Sequence, residues 1–220
     1  MGSAKKSASA ARKARIEEMR RAEQSRERRN RILTIGASVT VVVALVVGAV
    51  VLVQSQDDDN DSVESKTTGS LVAGADGVSV WKGGKLSQTH VNKTVKYPVE
   101  PPVGGDHNPV WQNCNGDVYA EAVANENAVH SLEHGAVWVT YTSKADKKDV
   151  EALAAKVKAT PYTLMSPYED QKSPIMLSAW GAQRAVTGAD DPELGKFFEK
   201  YVQGEQTPEP GAACTGGKGQ

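Results

Sequence analysis

The chain has 220 residues, with 26 Lys and Arg against 27 Asp and Glu, 39% hydrophobic residues and 5% aromatic ones. That length holds one folded domain rather than two large ones, and the balanced charge excludes a uniformly basic nucleic-acid binder and an acidic disordered chain. The two cysteines exclude a disulfide-dense miniature and any four-cysteine zinc or iron–sulfur site.

The totals conceal an asymmetry. Residues 1–31 carry eleven basic and four acidic side chains, which leaves fifteen basic and twenty-three acidic ones in the rest. Residues 32–53 contain no charge, no Pro and no Asn. As a helix they would be about 33 Å long, which matches a hydrocarbon core of about 30 Å. The many valines of this run are poor helix formers in water. In lipid the backbone must bond to itself and that preference is overridden. Arg26, Arg28, Arg29 and Arg31 precede the run, and Asp57, Asp58, Asp59 and Asp61 follow it. Positive flanks stay cytoplasmic, so we expect an uncleaved signal-anchor helix with the N-terminus inside and the C-terminal body outside. The run exceeds the core of a cleaved signal. The basic tail reads as a topology signal lying against anionic headgroups; it has no interleaved aromatic to stack a base. No phosphate loop points to a nucleotide.

Residues 54–75 are rich in Asp, Ser, Thr and Gly and read as a flexible acidic linker. Residues 76–203 form the expected extracytoplasmic domain, and residues 204–220 a Gly/Pro-rich tail that contains Cys214. Within the domain, residues 76–116 suggest loops and short strands, such as that at Val78 to Trp81. Residues 135–142 are a β-prone segment and the expected central strand. Residues 146–159 place Val150, Leu153, Ala154 and Val157 at helical spacing, with Ser143 or Asp146 able to cap the helix. Residues 162–165 and 175–180 read as two strands around a Pro167/Pro174 loop, paired as a hairpin. Residues 191–203 form an amphipathic helix opened by Asp191-Pro192. The fold class expected is α+β, with short strands followed by a β-α-β-β-α half.

All four histidines, His90, His107, His130 and His134, lie in the outer domain. His130 and His134 share a face in a helix and also in a strand, and His107 ends the Pro- and Gly-rich loop 101–107. Three neutral imidazoles can hold copper or zinc with an open position, so His107, His130 and His134 are the expected metal ligands. Asp106 and Glu133 are expected to orient them from behind. His90, Met165 and Met176 are further candidate ligands; a thioether would favour cuprous copper, although core packing is the ordinary role of a buried Met. The order of His130, Glu133 and His134 is not that of the zinc-protease helix, where Glu directly follows the first His. Ser131 has no nucleophile elbow around it, so no catalytic residue is assigned. Cys114 and Cys214 are expected to form a disulfide, since both fall on the oxidising side.

The run Tyr97-Pro98, then Pro101 to His107, Trp111, Gly116 to Tyr119, His130 to Gly135 and Ala179-Trp180-Gly181 resembles an uncharacterised bacterial family. Its members are similar single-pass envelope proteins, with a domain of unknown function marked by a Pro-Pro-x-x-Gly-x-His loop and a His-Ser-Leu-Glu-His-Gly signature. The resemblance covers about residues 83–201 and implies a bacterial plasma-membrane location. It also implies that His107, His130, Glu133 and His134 are the residues to test. Three functions follow as expectations. The first is a membrane-anchored domain that binds copper or zinc. The second is a metal-free structural or interaction module with an envelope partner. The third is a metal-dependent envelope enzyme using the same site, which would need an open coordination position and a cleft.

Overall fold

The computed structural model describes residues 62–219, so the expected span at 32–53 and the basic tail lie outside the described residues. Among the described residues no helix is long and apolar enough to cross a membrane.

The architecture is mixed α+β. Two short strands, β1 (Val63–Glu64) and β4 (Val95–Lys96), pair in parallel as a small sheet of their own. The main sheet has seven strands: β2 (Ser70–Ala73), β3 (Ser79–Lys82), β5 (Asn115–Val118), β6 (Val137–Tyr141), β7 (Thr163–Pro167), β8 (Ile175–Ala179) and β9 (Ala182–Val186). Their order across the sheet is β2-β3-β9-β8-β6-β7-β5. Three helices complete the domain: α1 (Asn125–Glu133), α2 (Lys147–Lys158) and α3 (Pro192–Tyr201).

The centre of the sheet follows the sequence pattern. The β-branched and aromatic run Val137-Trp138-Val139-Thr140 is fully buried in β6. The helix α2 starts where Asp146 accepts a hydrogen bond from Lys148 N at 2.8 Å, and it buries Leu153 and Val157. It returns the chain so that β7 runs parallel to β6. The α3 helix is capped by Asp191, which accepts from Glu193 N, and turns Leu194, Phe197 and Tyr201 inward.

The expected hairpin of the two strands around the Pro167/Pro174 loop does not form, because β6 lies between β7 and β8. Parallel β7 takes one edge of β6 and antiparallel β8 the other. The partner of β8 is instead β9, reached through the two-residue Trp180-Gly181 turn in which Gly181 has φ +68°. Residues 62–75, at the end of the expected linker, supply β1 and β2, and β2 pairs with β3 at the sheet edge. The tail folds back as well: Cys114 and Cys214 are bonded with 4.7 Å between their Cα atoms, and Lys218 N donates to Trp111 O.

One polar helix shapes the site. Residues 127–133 of α1 are all buried, although the segment is Asn-Ala-Val-His-Ser-Leu-Glu. It ends at Glu133, with His134 as the capping residue and Gly135 at φ +89° turning the chain into β6. A Cβ at Gly135 would lie 2.5 Å from Gln203 Nε2 and 2.7 Å from Thr207 Cγ2, so the turn requires glycine for both conformation and space.

Candidate metal centre

The loop 101–107 has no regular structure, yet every residue in it is buried. Its backbone groups are satisfied by neighbours: Gln183 Nε2 donates to Pro101 O, Gly181 N to Val103 O, and His107 N to Thr89 O. The buried loop therefore delivers His107, with no exposed side-chain surface, to a fixed place above α1. His107 also exchanges a bridge with the irregular segment around His90, since His107 O accepts from Val91 N at 2.7 Å.

Four side chains meet there. Ligand atoms of His90, His107, His130 and Glu133 all lie within 4.8 Å of one another. Glu133 Oε2 is the hub, at 2.9 Å from His107 Nε2, 3.9 Å from His90 Nε2 and 4.0 Å from His130 Nε2. Donors bound to a single ion at about 2.0–2.1 Å lie roughly 3–3.5 Å apart, a value these spacings bracket. The rings of His90, His107 and His130 stand 4.8–4.9 Å from each other, centre to centre.

The ring orientations are fixed from behind. His107 Nδ1 is 2.8 Å from Gly105 O, and His130 Nδ1 is 2.6 Å from Asn108 O. A carbonyl only accepts, so each Nδ1 carries a proton, and each Nε2 faces the cluster, where it is a bare donor whenever its ring is neutral. At His107 the consequence is acute. Its buried Nε2 has no hydrogen-bond partner, although the Glu133 carboxylate is 2.9 Å away. Two buried lone-pair donors so placed repel unless a cation shares them. The donor set of three imidazoles and one carboxylate suits a divalent transition ion.

The sequence candidates fall into distinct places. His107 and His130 are in the cluster, and His90 joins it. Glu133, expected behind the ligands, stands among them. His134 lies beside the group, its ring 4.6 Å from that of His130, but its Nδ1 bonds to Ala213 O and its Nε2 faces Glu209 at 3.7 Å. The Asp106 carboxylate accepts from Ser87 Oγ. Met165 and Met176 are buried in the sheet, on β7 and β8. The part played by Glu133 could have been found from its three-residue spacing after His130, which puts both on one helical face. His90, a further candidate in the sequence, is brought in by a backbone bridge between two irregular segments, which no local pattern records.

Electrostatics favour the metal-binding forms of His130 and Glu133. Burial pushes the His130 imidazolium down to about 4, outweighing the Asn108 carbonyl that favours the charge. Burial likewise holds His134 below the ordinary histidine range. For Glu133 burial acts upward, but the imidazoles of His107, His130 and His90 outweigh it and hold the carboxyl below its usual range. In all three cases the unfolded chain takes up protons before the folded one as pH falls. Stability of the metal-free protein is thus expected to be full above about pH 6.5 and to decline towards pH 4. The check is a urea midpoint that is lower at pH 5 than at pH 7.

A protein-family model described as "Protein of unknown function (DUF3105)" matches residues 89–216, which include all four cluster residues and both cysteines. The chain has no match among curated proteins or among solved structures.

Proposed function

The chain belongs to the DUF3105 family of proteins of unknown function, and we propose that it is a membrane-anchored, extracytoplasmic protein that binds a transition-metal ion. The observation that carries this reading is the buried convergence of His90, His107, His130 and Glu133, with the Nε2 of His107 unpartnered beside the Glu133 carboxylate. Nitrogen donors with one hard oxygen and no thiolate or thioether suit zinc or cupric copper better than cuprous copper. His134 supports the centre from the side, its ring against His130 and Trp111. The location outside a bacterial plasma membrane is supported by the apolar run 32–53, its basic leading flank and a disulfide that calls for an oxidising compartment. In that place the bound ion would serve metal handling or the assembly of a metalloprotein.

The test is metal content. The full chain, expressed without a His tag and purified in detergent, is expected to carry about one copper or zinc ion per chain by elemental mass spectrometry. Chelation should remove the ion and titration should restore it. A folded chain that refuses both metals would overturn the reading and leave an interaction module of the envelope, with the histidines as scaffold.

A further inference from the structure

Exposure is unequal around the cluster. The side chains of His107, Glu133 and His130 are 0%, 2% and 6% exposed, whereas that of His90 is 47% exposed. The supports differ in the same way. His107 and His130 have their Nδ1 atoms fixed on carbonyls, and Glu133 and His130 sit on one helix. His90 lies outside any helix or strand, tied by the bridge of its neighbours Thr89 and Val91 to His107. Among the described residues no hydrogen bond fixes its ring. The ring is instead stacked on His130, 4.9 Å between centres with planes 22° apart. The centre is therefore a rigid, buried floor of three donors covered by one solvent-facing imidazole.

We infer that this is an exchange centre that opens at His90. The inference rests on the metal reading above. His107, His130 and Glu133 retain the ion, and His90 closes the solvent side. A structural metal site is enclosed by its ligands on every side, whereas a working one keeps a replaceable position. Here that position is held by the one ligand whose release disturbs no helix, strand or buried bond. An incoming donor of the same class, a histidine side chain of an acceptor protein, takes the place of His90 on the ion and so begins its transfer. No bond within the protein is made or broken in that step; one coordinated nitrogen replaces another.

The experiment is a release rate. The full chain in detergent is loaded with zinc alone, and loss of the ion to an excess of a chromogenic chelator is followed by absorbance. The variants are His90→Ala and His107→Ala. The expected result is that His90→Ala still binds about one zinc but releases it about ten-fold faster or more, while His107→Ala is empty. Millimolar imidazole should return the release from His90→Ala towards the wild-type rate, because it refills the vacated position. A purely structural role for His90 would not give that rescue. If His90→Ala releases zinc at the wild-type rate, or is as empty as His107→Ala, the exchange inference is overturned while the metal reading stands. A wild-type chain that takes up no zinc or copper overturns both.

Discussion

Replacing His107 with alanine is expected to lower metal affinity at least about 100-fold, since loss of a ligand should exceed the 10–100-fold cost of losing an outer partner. His107 has no solvent-exposed surface, its Nδ1 is held by Gly105 O, and its Nε2 is the donor nearest to Glu133. Neither His130 nor His134 can move into its place without giving up a bond, because His130 is anchored to Asn108 O and His134 to Ala213 O. The substitution also leaves a cavity beside a buried carboxylate, so some loss of stability accompanies it. Glu133→Gln separates the two effects. It keeps the volume and removes the charge, and its amide can donate to the bare Nε2 of His107. The metal-free Glu133→Gln protein should thus be less destabilised than His107→Ala, because no cavity is left, yet as poor in metal as His107→Ala. Competitive titration against a zinc indicator measures the affinity, and urea denaturation of the metal-free proteins measures the stability. A Glu133→Gln protein that binds zinc as the wild type does would remove the carboxylate from the ligand set.

Where local propensity and solvent contrast agree, the fold is readable from sequence. The α2 helix carries its cap at Asp146 and its apolar stripe at Leu153 and Val157, and α3 carries Asp191-Pro192 before Leu194 and Phe197. The helix that forms the site lacks both signals. Its N-cap is Ala124, which has no side-chain bond to offer, and its buried face includes Asn127, His130, Ser131 and Glu133. A helix buried among polar partners shows no amphipathic period, so only the family-like signature marked the segment. The strand β9, Ala-Gln-Arg-Ala-Val, alternates too weakly to be recognised before its hairpin with β8 is known. The error over β7 and β8 is of another kind. Both strands were legible, but pairing is decided by which edges of β6 remain free after α2 has returned the chain, and no local pattern records that. The ligand set shows the same limit. The four-residue spacing of His130 and His134 suggested a pair, whereas the helix stops at Glu133, the capping His134 turns towards Glu209, and the three-residue partner Glu133 faces the cluster instead.

Removing the disulfide should have the largest effect on the fold. Cys114 and Cys214 close a loop with a sequence separation of 100, for which chain entropy alone corresponds to roughly 4–5 kcal/mol. For a domain of this size that is a fall in melting temperature of about 10 °C or more. The tail held by Cys214 does more than close a loop. Ala212 O accepts from Tyr162 Oη, Ala213 O accepts from His134 Nδ1, and Glu209 N donates to Glu133 O. Three bonds to the tail thus support the residues at and after the end of α1, two of them at Glu133 and His134. Untethering the tail is expected to loosen the position of Glu133, and so to lower zinc affinity about ten-fold alongside the melting temperature. Cys114→Ser with Cys214→Ser gives the comparison, and reduction of the wild type should reach the same state without any substitution. The double variant should then be indifferent to reductant. If reduction lowers the melting temperature but leaves zinc affinity untouched, the three tail bonds persist without the bridge, and the disulfide acts on the unfolded chain alone. If affinity falls with stability, the oxidised tail is part of the metal centre, and the ion can be held firmly only where that bridge can form.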